Sequence, residues 1–397
     1  SQLPLVFPTP VSYVATGQTL LLEALPAITA DPRLSASADV LRNELQTLLG
    51  KKAPGKAAVQ FIYDSAMTVK APEGYSLNVT AQGITISAGT NAGAFYAIQS
   101  LKTLIPPKAW AGVQKSVSIP TVEVTDAPRF GYRAFMIDVA RNFHNKRDML
   151  RILDLMALYK LNVLHFHFSD DEGWRLEIPS LPELTAVGAK RGHGKNMLPP
   201  SYGSGPDTTN TAGTGYFSRN DFIEILRYAT ARHIRILPEI ESPGHARAAV
   251  KSMEVHYHRL KAAGKEQEAN EYLLTDLQDK STYHSVQNWN DNVMNVALPS
   301  TYRFLDKVVE ELQAMYKEAG APLTAVHMGG DEVPGGVFEK SPACIALMQQ
   351  DKSLKDVNDL WYYYYRKVND LLKARGLSVA GWEEAGMRKT SVAGKAQ

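Results

Sequence analysis

His327-Met-Gly-Gly-Asp-Glu-Val333 closes a short apolar run, Leu323-Thr-Ala-Val-His-Met328, with a Gly-Gly turn and two adjacent acids. Acids side by side repel, and one tends to keep its proton at neutral pH. One protonated carboxyl beside one carboxylate is the equipment of glycoside hydrolysis. The glycines let backbone or substrate come close. An acid pair after a strand is common on solvated loops, so its company carries the reading.

Four other stretches repeat the arrangement of an apolar run ending in charged, aromatic and Gly residues. They are Asp138-Val-Ala-Arg-Asn-Phe-His144, His165-Phe-His-Phe-Ser-Asp-Asp-Glu-Gly-Trp-Arg175, Ile236-Leu-Pro-Glu-Ile-Glu-Ser-Pro-Gly-His245 and Val379-Ala-Gly-Trp-Glu-Glu384. Helical spacing fills the intervals at Lys146–Lys160, Asn220–His233, Thr301–Glu318 and Asp359–Arg375. Strands alternating with helices predict a parallel sheet. Chemistry collected at strand C-termini is the mark of a (β/α)8 barrel.

Arg141 in DVARNFH, Asp170-Asp171 in SDDEGWR, His245 in PGHA, HMGGDE at 327–332 and GWEE at 381–384 stand in one order along the chain. Together they resemble the signature motifs of family 20 β-N-acetylhexosaminidases, including bacterial chitobiases. The resemblance covers about residues 55–390, and the stretch ending in Gly93-Ala-Phe-Tyr-Ala-Ile-Gln-Ser-Leu101 resembles the small domain that precedes this family's barrel. It implies a retaining, substrate-assisted hydrolase of terminal β-linked N-acetylglucosamine or N-acetylgalactosamine. Glu332 would be the general acid/base, and Asp331 would orient the substrate acetamide. Asp170 and His245 would support the acid, Arg141 would hold sugar hydroxyls, and Trp382 would wall the acetamide pocket. Asp171, Glu172 and Arg175 would pin their loop, and Glu239 and Glu241 would lie behind the reacting groups. The family often carries Asp where Glu241 stands. No cofactor and no metal are implied.

A metal reading competes. His165-Phe-His167 on a strand puts two imidazoles on one side, as in metal-dependent amidohydrolases. Here the pair precedes Asp170 by five and three residues, so it falls deep in the barrel, below the site. A non-enzymatic sugar-binding module is the other rival. It has no use for adjacent acids.

Composition bounds the rest. A chain of 397 residues with 44% apolar and 21% charged residues fits a globular protein of two domains. We expect residues 1–125 to form a small α+β domain and 126–397 a catalytic barrel. In the first, Ala38–Leu49 and Asn91–Leu104 read as helices, Ala58–Tyr63 as a strand, and Tyr75–Thr80 with Ile84–Ala88 as a hairpin. Thr121–Pro128 reads as a link. A net charge of +2 without a basic run argues against nucleic acid. No apolar stretch approaches the roughly 20 residues of a membrane span. Cys344 is a lone cysteine. A chain beginning at Ser1 fits an exported bacterial protein, secreted or periplasmic, with its leader removed, and fits equally a longer chain trimmed upstream.

Two interruptions, 192–216 and 251–292, lack barrel periodicity; each belongs either to the active face or far from it. Strands are expected near 133–138, 163–168, 235–239, 324–328 and 378–382. Five strands leave three of the eight to come from a continuation or a second chain.

Overall fold

The structure, a computed structural model, describes residues 5–50 and 53–387. The chain divides into two compact units. The first reaches to Arg133 and includes Ile152–Asn162 and Arg232–Ile234. The second comprises Ala134–Arg151, Val163–Ala231 and the chain from Arg235 onward.

The first unit is a six-stranded sheet with helices. Its strands are β1 (Ser12–Leu22), β2 (Leu25–Ala30), β3 (Pro54–Tyr63), β4 (Tyr75–Val79), β5 (Gly83–Ala88) and β6 (Val117–Asp126), in spatial order β1-β6-β4-β5-β3-β2. In β4 and β5 every second side chain is buried, the period that makes one face of a sheet a core. Helix Asn91–Leu104 is capped by the Thr90 side chain, which accepts from Gly93 N–H, and is buried continuously from Gly93 to Leu101. Residues 121–128 are not simply a link. Thr121 to Asp126 belong to β6, which pairs antiparallel with both β1 and β4, and their alternating Val residues fill the core.

The second unit contains five parallel strands, Ala134–Asp138, Val163–His167, Arg235–Glu239, Ala325–His327 and Ser378–Ala380. Each pairs with the strand next in sequence, so spatial order equals chain order. That winding, with helices between strands, is the (β/α)8-barrel architecture expected from the motifs, with five of its steps among the described residues. The second strand is buried at every position, as in a sheet covered on both faces. The first strand has one unpaired edge among the described residues, and Phe135 and Met136 are 47% and 40% exposed.

Local chemistry sets the helix limits. Ser218 and Asp221 form a reciprocal capping box at the start of Arg219–Thr230. Pro299 opens the helix Pro299–Ala319, and Gly320, at φ 67°, closes it in the left-handed conformation. The interruption 251–292 is helical in its first part, the end of Arg247–Ala262, and mostly irregular beyond. No helix among the described residues is long and apolar enough to cross a membrane.

Candidate active site

Arg141, Asp170, His245, Asp331, Glu332 and Trp382 all follow C-terminal strand ends of the second unit. The structure brings five of them into one connected cluster. Asp170 is its hub. Its Oδ2 lies 2.6 Å from the Arg141 guanidinium and 3.0 Å from His167 Nε2. Its Oδ1 accepts from the Asp171 N–H at 2.6 Å and stands 3.3 Å from His245 Nδ1. The other side of the imidazole, Nε2, is 3.3 Å from Glu332 Oε2 and 3.8 Å from Asp331 Oδ2. A line of groups therefore runs from a buried carboxylate, through an imidazole, to the adjacent acids.

The electrostatics follow from that line. Burial opposes ionisation of Asp170, yet hydrogen bonds from His167 and His245 and the Arg141 charge hold it down to about 2. Burial also opposes a charge on His245, but Asp170 and Asp171 lift it to about 11. Burial, reinforced by the Asp170 charge, raises Asp171. Asp171 also accepts from the Arg247 N–H at 3.1 Å, at the start of helix Arg247–Ala262, where negative charge is favoured. Burial raises Asp331. Of the acid pair, Asp331 is 30% exposed and Glu332 is 38% exposed.

Arg141 is fixed on all sides. Its side chain contacts Asp138 at 2.8 Å and Glu172 at 3.2 Å as well as Asp170. The ion pair with Asp138 is one of three rather than an alternative to the cluster. Two buried arginines secure the peptide below it. Arg175 donates to Val139 O and Ala140 O, and Arg191 donates to Ala140 O at 2.8 Å and Arg141 O at 2.6 Å. Arg175 thus pins the loop that carries Arg141 rather than only its own, and Arg191 joins it there. Nothing local in sequence marks an arginine that serves carbonyls.

Both interruptions reach this cluster. Phe143 N–H donates to Ala212 O at 2.7 Å, which ties residues 192–216 to the Arg141 loop. From the other, Gln287 Nε2 donates to Glu332 Oε2 at 3.0 Å, and Trp289 Nε1 donates to Glu172 Oε1 at 3.1 Å. The Arg247 guanidinium lies over the Trp289 ring at 4.2 Å.

Trp382 stands somewhat apart. Its ring centroid is 5.0 Å from that of His327 and 5.4 Å from that of His165. Trp174 is a core residue, fully buried, with Nε1 donating to Leu176 O.

Beneath the acids lies a buried polar floor. Glu239 is 2.6 Å from His165 Nε2, 2.9 Å from His327 Nδ1 and 3.5 Å from His167 Nδ1. His165, Glu239 and His327 bring ligand atoms within 4.8 Å of one another, as do His167, Glu239 and Glu241. Hydrogen bonds of His165 Nε2 to Glu239 and of His167 Nε2 to Asp170 occupy one nitrogen of each ring, whereas His167 Nδ1, Glu239 Oε1 and both Glu241 oxygens are buried with no hydrogen-bond partner among the described residues. Glu241 is buried behind the turn, where burial and the Glu239 charge raise it well above the usual range.

Two glycines and one backbone conformation shape the turn. A Cβ on Gly329 would fall on the Glu241 carboxylate, and one on Gly330 would fall on the Tyr365 hydroxyl. Glu332 has φ 47° and His245 has φ 49°, both in the left-handed region that residues with a Cβ seldom adopt.

Carboxyls, an imidazole and a guanidinium gathered at the C-terminal ends of parallel strands are the layout of a barrel hydrolase. Residues 130–396 match the family model for the glycosyl hydrolase family 20 catalytic domain, and residues 3–127 match that for domain 2 of the same family. The chain belongs to glycosyl hydrolase family 20. It is 53% identical over 262 residues to the N,N'-diacetylchitobiase of Vibrio harveyi, covering 65% of this chain and 29% of that protein. It is 38% identical over 394 residues to a beta-hexosaminidase of Vibrio vulnificus, covering 96% of this chain and 44% of that one. Among solved structures it resembles the GH20 exo beta-N-acetylglucosaminidase of Vibrio harveyi in complex with N-acetylglucosamine. There the TM-score is 0.82 at 32% identity, over 97% of this chain and 55% of that one. The chain thus spans less than half the length of those two curated relatives.

Proposed function

We propose that this protein is a retaining β-N-acetylhexosaminidase. It removes terminal β-linked N-acetylglucosamine or N-acetylgalactosamine from the non-reducing end of chitobiose or chitooligosaccharides. The observation that carries this reading is the line from Asp170 through His245 to Glu332, ending beside Asp331.

In the first step the acetamide oxygen of the substrate attacks C1. The bond from C1 to the leaving oxygen breaks, and the Glu332 carboxyl gives that oxygen its proton. Asp331 accepts the acetamide N–H and stabilises the positive charge of the oxazolinium ion that forms. In the second step water attacks C1, Glu332 takes the proton, and the C1–acetamide bond breaks, so the anomeric configuration is retained. His245, charged at neutral pH beside Asp170 and Asp171, faces Glu332 and favours its anionic state after proton donation. Arg141, held by three carboxylates, offers its remaining surface to sugar hydroxyls. Trp382 supplies an aromatic wall for the acetamide methyl group.

On the same reading, the edges of the first and fifth strands that are unpaired among the described residues join further strands, from a continuation or a second chain, that complete the sugar pocket. A monomeric, active 397-residue chain would overturn that part. The reading also expects an exported protein, secreted or periplasmic, which cell fractionation checks.

Hydrolysis of aryl β-N-acetylglucosaminides tests the activity. Glu332→Gln should lower kcat on a poor leaving group by about 10²- to 10⁴-fold. Plain β-glucosides should be very poor substrates, and a thiazoline analogue of the cyclised sugar should inhibit strongly. Equal kcat/KM on glucoside and N-acetylglucosaminide would replace the substrate-assisted route with an ordinary two-carboxylate one.

A further inference from the structure

The motif Gly381-Trp-Glu-Glu384 contributes Trp382 to the reading above, but its final acid has no part in it. Glu384 reaches across to the neighbouring turn. Its Oε2 accepts from the Glu332 backbone N–H at 2.5 Å. Trp382 N–H donates to Gly329 O at 2.9 Å, so the loop after the fifth strand is fastened to the turn after the fourth at two points. Close contact leaves little play. A Cβ on Gly381 would meet Gly329 O at 3.1 Å, and one on Gly330 would meet Ala385 Cβ at 3.2 Å.

The fastened residue is the one in an unfavourable conformation. At φ 47°, Glu332 carries a Cβ in the left-handed region, and such a conformation persists only when its surroundings hold it. A hydrogen bond from a peptide N–H to a carboxylate is among the stronger bonds available for that purpose. The conformation also sets the direction of the Cα–Cβ bond, and with it the approach of Oε2 to His245 Nε2 at 3.3 Å and to Gln287 Nε2 at 3.0 Å.

We propose that Glu384 is a positioning residue for the acid/base: its carboxylate holds the Glu332 peptide left-handed and so aims the Glu332 carboxyl along the His245 line. This rests on Glu332 being the proton donor. Once the N–H is released, water can satisfy it at this partly exposed turn, and the peptide relaxes toward negative φ. The donor then swings off its line while the sugar-holding groups stay where they are.

The test compares Glu384→Ala and Glu384→Gln with Glu332→Gln in the intact protein, using aryl β-N-acetylglucosaminides with a poor and an activated leaving group. Glu384→Ala should lower kcat on the poor leaving group by about 10- to 100-fold, since a small misplacement of a reacting group costs that much. KM should change by less than about threefold, and the activated substrate should lose much less, because its departure needs little proton donation. Glu384→Gln keeps an acceptor oxygen for the same N–H and should recover most of the lost kcat. Melting temperatures show whether each variant folds, and Glu384→Gln carries the test if the alanine variant does not. Unchanged kcat in Glu384→Ala overturns the proposal. So does equal loss on both substrates, or a glutamine variant as impaired as the alanine one. If Glu332→Gln stays active on the poor leaving group, it is the acid assignment that falls. If Glu332→Gln is inactive while Glu384→Ala is not, only the positioning role falls.

Discussion

Arg141 and Glu332 follow parallel strands of one sheet, yet the chain holds them in opposite ways. Around Arg141 almost every polar group has a fixed partner: three carboxylates on the guanidinium and the Arg191 donor on the carbonyl. Around Glu332 the chain is half open. The side chain is 38% exposed, the backbone is left-handed, and one oxygen of Asp331, both of Glu241 and the Tyr365 hydroxyl are buried without a hydrogen-bond partner among the described residues. A group that only recognises gains from being rigid, because binding then costs less ordering. On the proposed reading Glu332 gives and takes a proton, and such a group must meet solvent and substrate in both protonation states. On the proposed reading, a substrate amide, water or further chain supplies partners for these atoms.

Asp170 joins the two regions, so Asp170→Asn strikes both hardest. It uncovers the buried charges of Arg141, His167 and His245 together. We expect a loss of about 3–5 kcal/mol in urea unfolding and a fall in kcat/KM of at least about 10²-fold. Lost activity at full stability would mean that the rigid region does not depend on its hub.

Alkaline pH attacks the same contacts more gently. The Asp170 hydrogen bond and the Glu239 charge outweigh burial and raise His167 to about 9, and His245 stands at about 11. Both values lie above those of an unfolded histidine. Their stabilisation is therefore complete below pH 6.5 and is lost as pH rises through 9 and then 11. For His167 this amounts to at most about 3 kcal/mol. Unfolding free energies at pH 6.5 and pH 9.5 should differ in that direction, and by less in His167→Gln. A protein equally stable at both values would contradict the charged imidazole.

Arg191→Met tests the rigid region alone. Loss of donors to buried carbonyls should cost about 1–3 kcal/mol and raise KM through the loosened Arg141 peptide, with kcat little changed. Gln287→Ala tests the open region and should have the smallest effect, about 1 kcal/mol or roughly fivefold in kcat. A larger effect on KM than on kcat would show that Gln287 serves the sugar rather than the acid.

Much of this was legible in sequence, for identifiable reasons. The five barrel strands begin and end within two residues of the positions their apolar runs mark, because each run stops where charged and Gly residues begin. The pairing of Asp170 with His245 is what the family resemblance of their motifs implies, and the two stand 3.3 Å apart. The edge strand β1 was not legible. Most of its side chains are exposed, and its register shifts between Ala15 and Thr19 around Gly17 at φ 78°, so no alternation survives. Helix Arg247–Ala262 begins before the stretch 251–292, and with no side-chain cap at Ala246 nothing in the sequence marks its start. Contacts between distant segments, such as Gln287 with Glu332 or Arg191 with Arg141 O, leave no local pattern.

The turn glycines bear on how such a chain can evolve. The volume a side chain would need at Gly330 is filled by Tyr365, and at Gly329 by Glu241. A substitution here therefore asks for a second change at the residue it would strike. A smaller residue at 365 removes the closest clash at position 330 but leaves Ala385 Cβ at 3.2 Å, and a shorter one at 241 removes the closest clash at 329 but leaves its own backbone at 3.2 Å. The left-handed backbone at φ 64° and φ 95° still taxes any newcomer. The acid pair is thus inherited together with residues far away in the chain. A directed-evolution library that varies the turn alone should return mostly glycine, while one that also varies 241 and 365 should open alternatives.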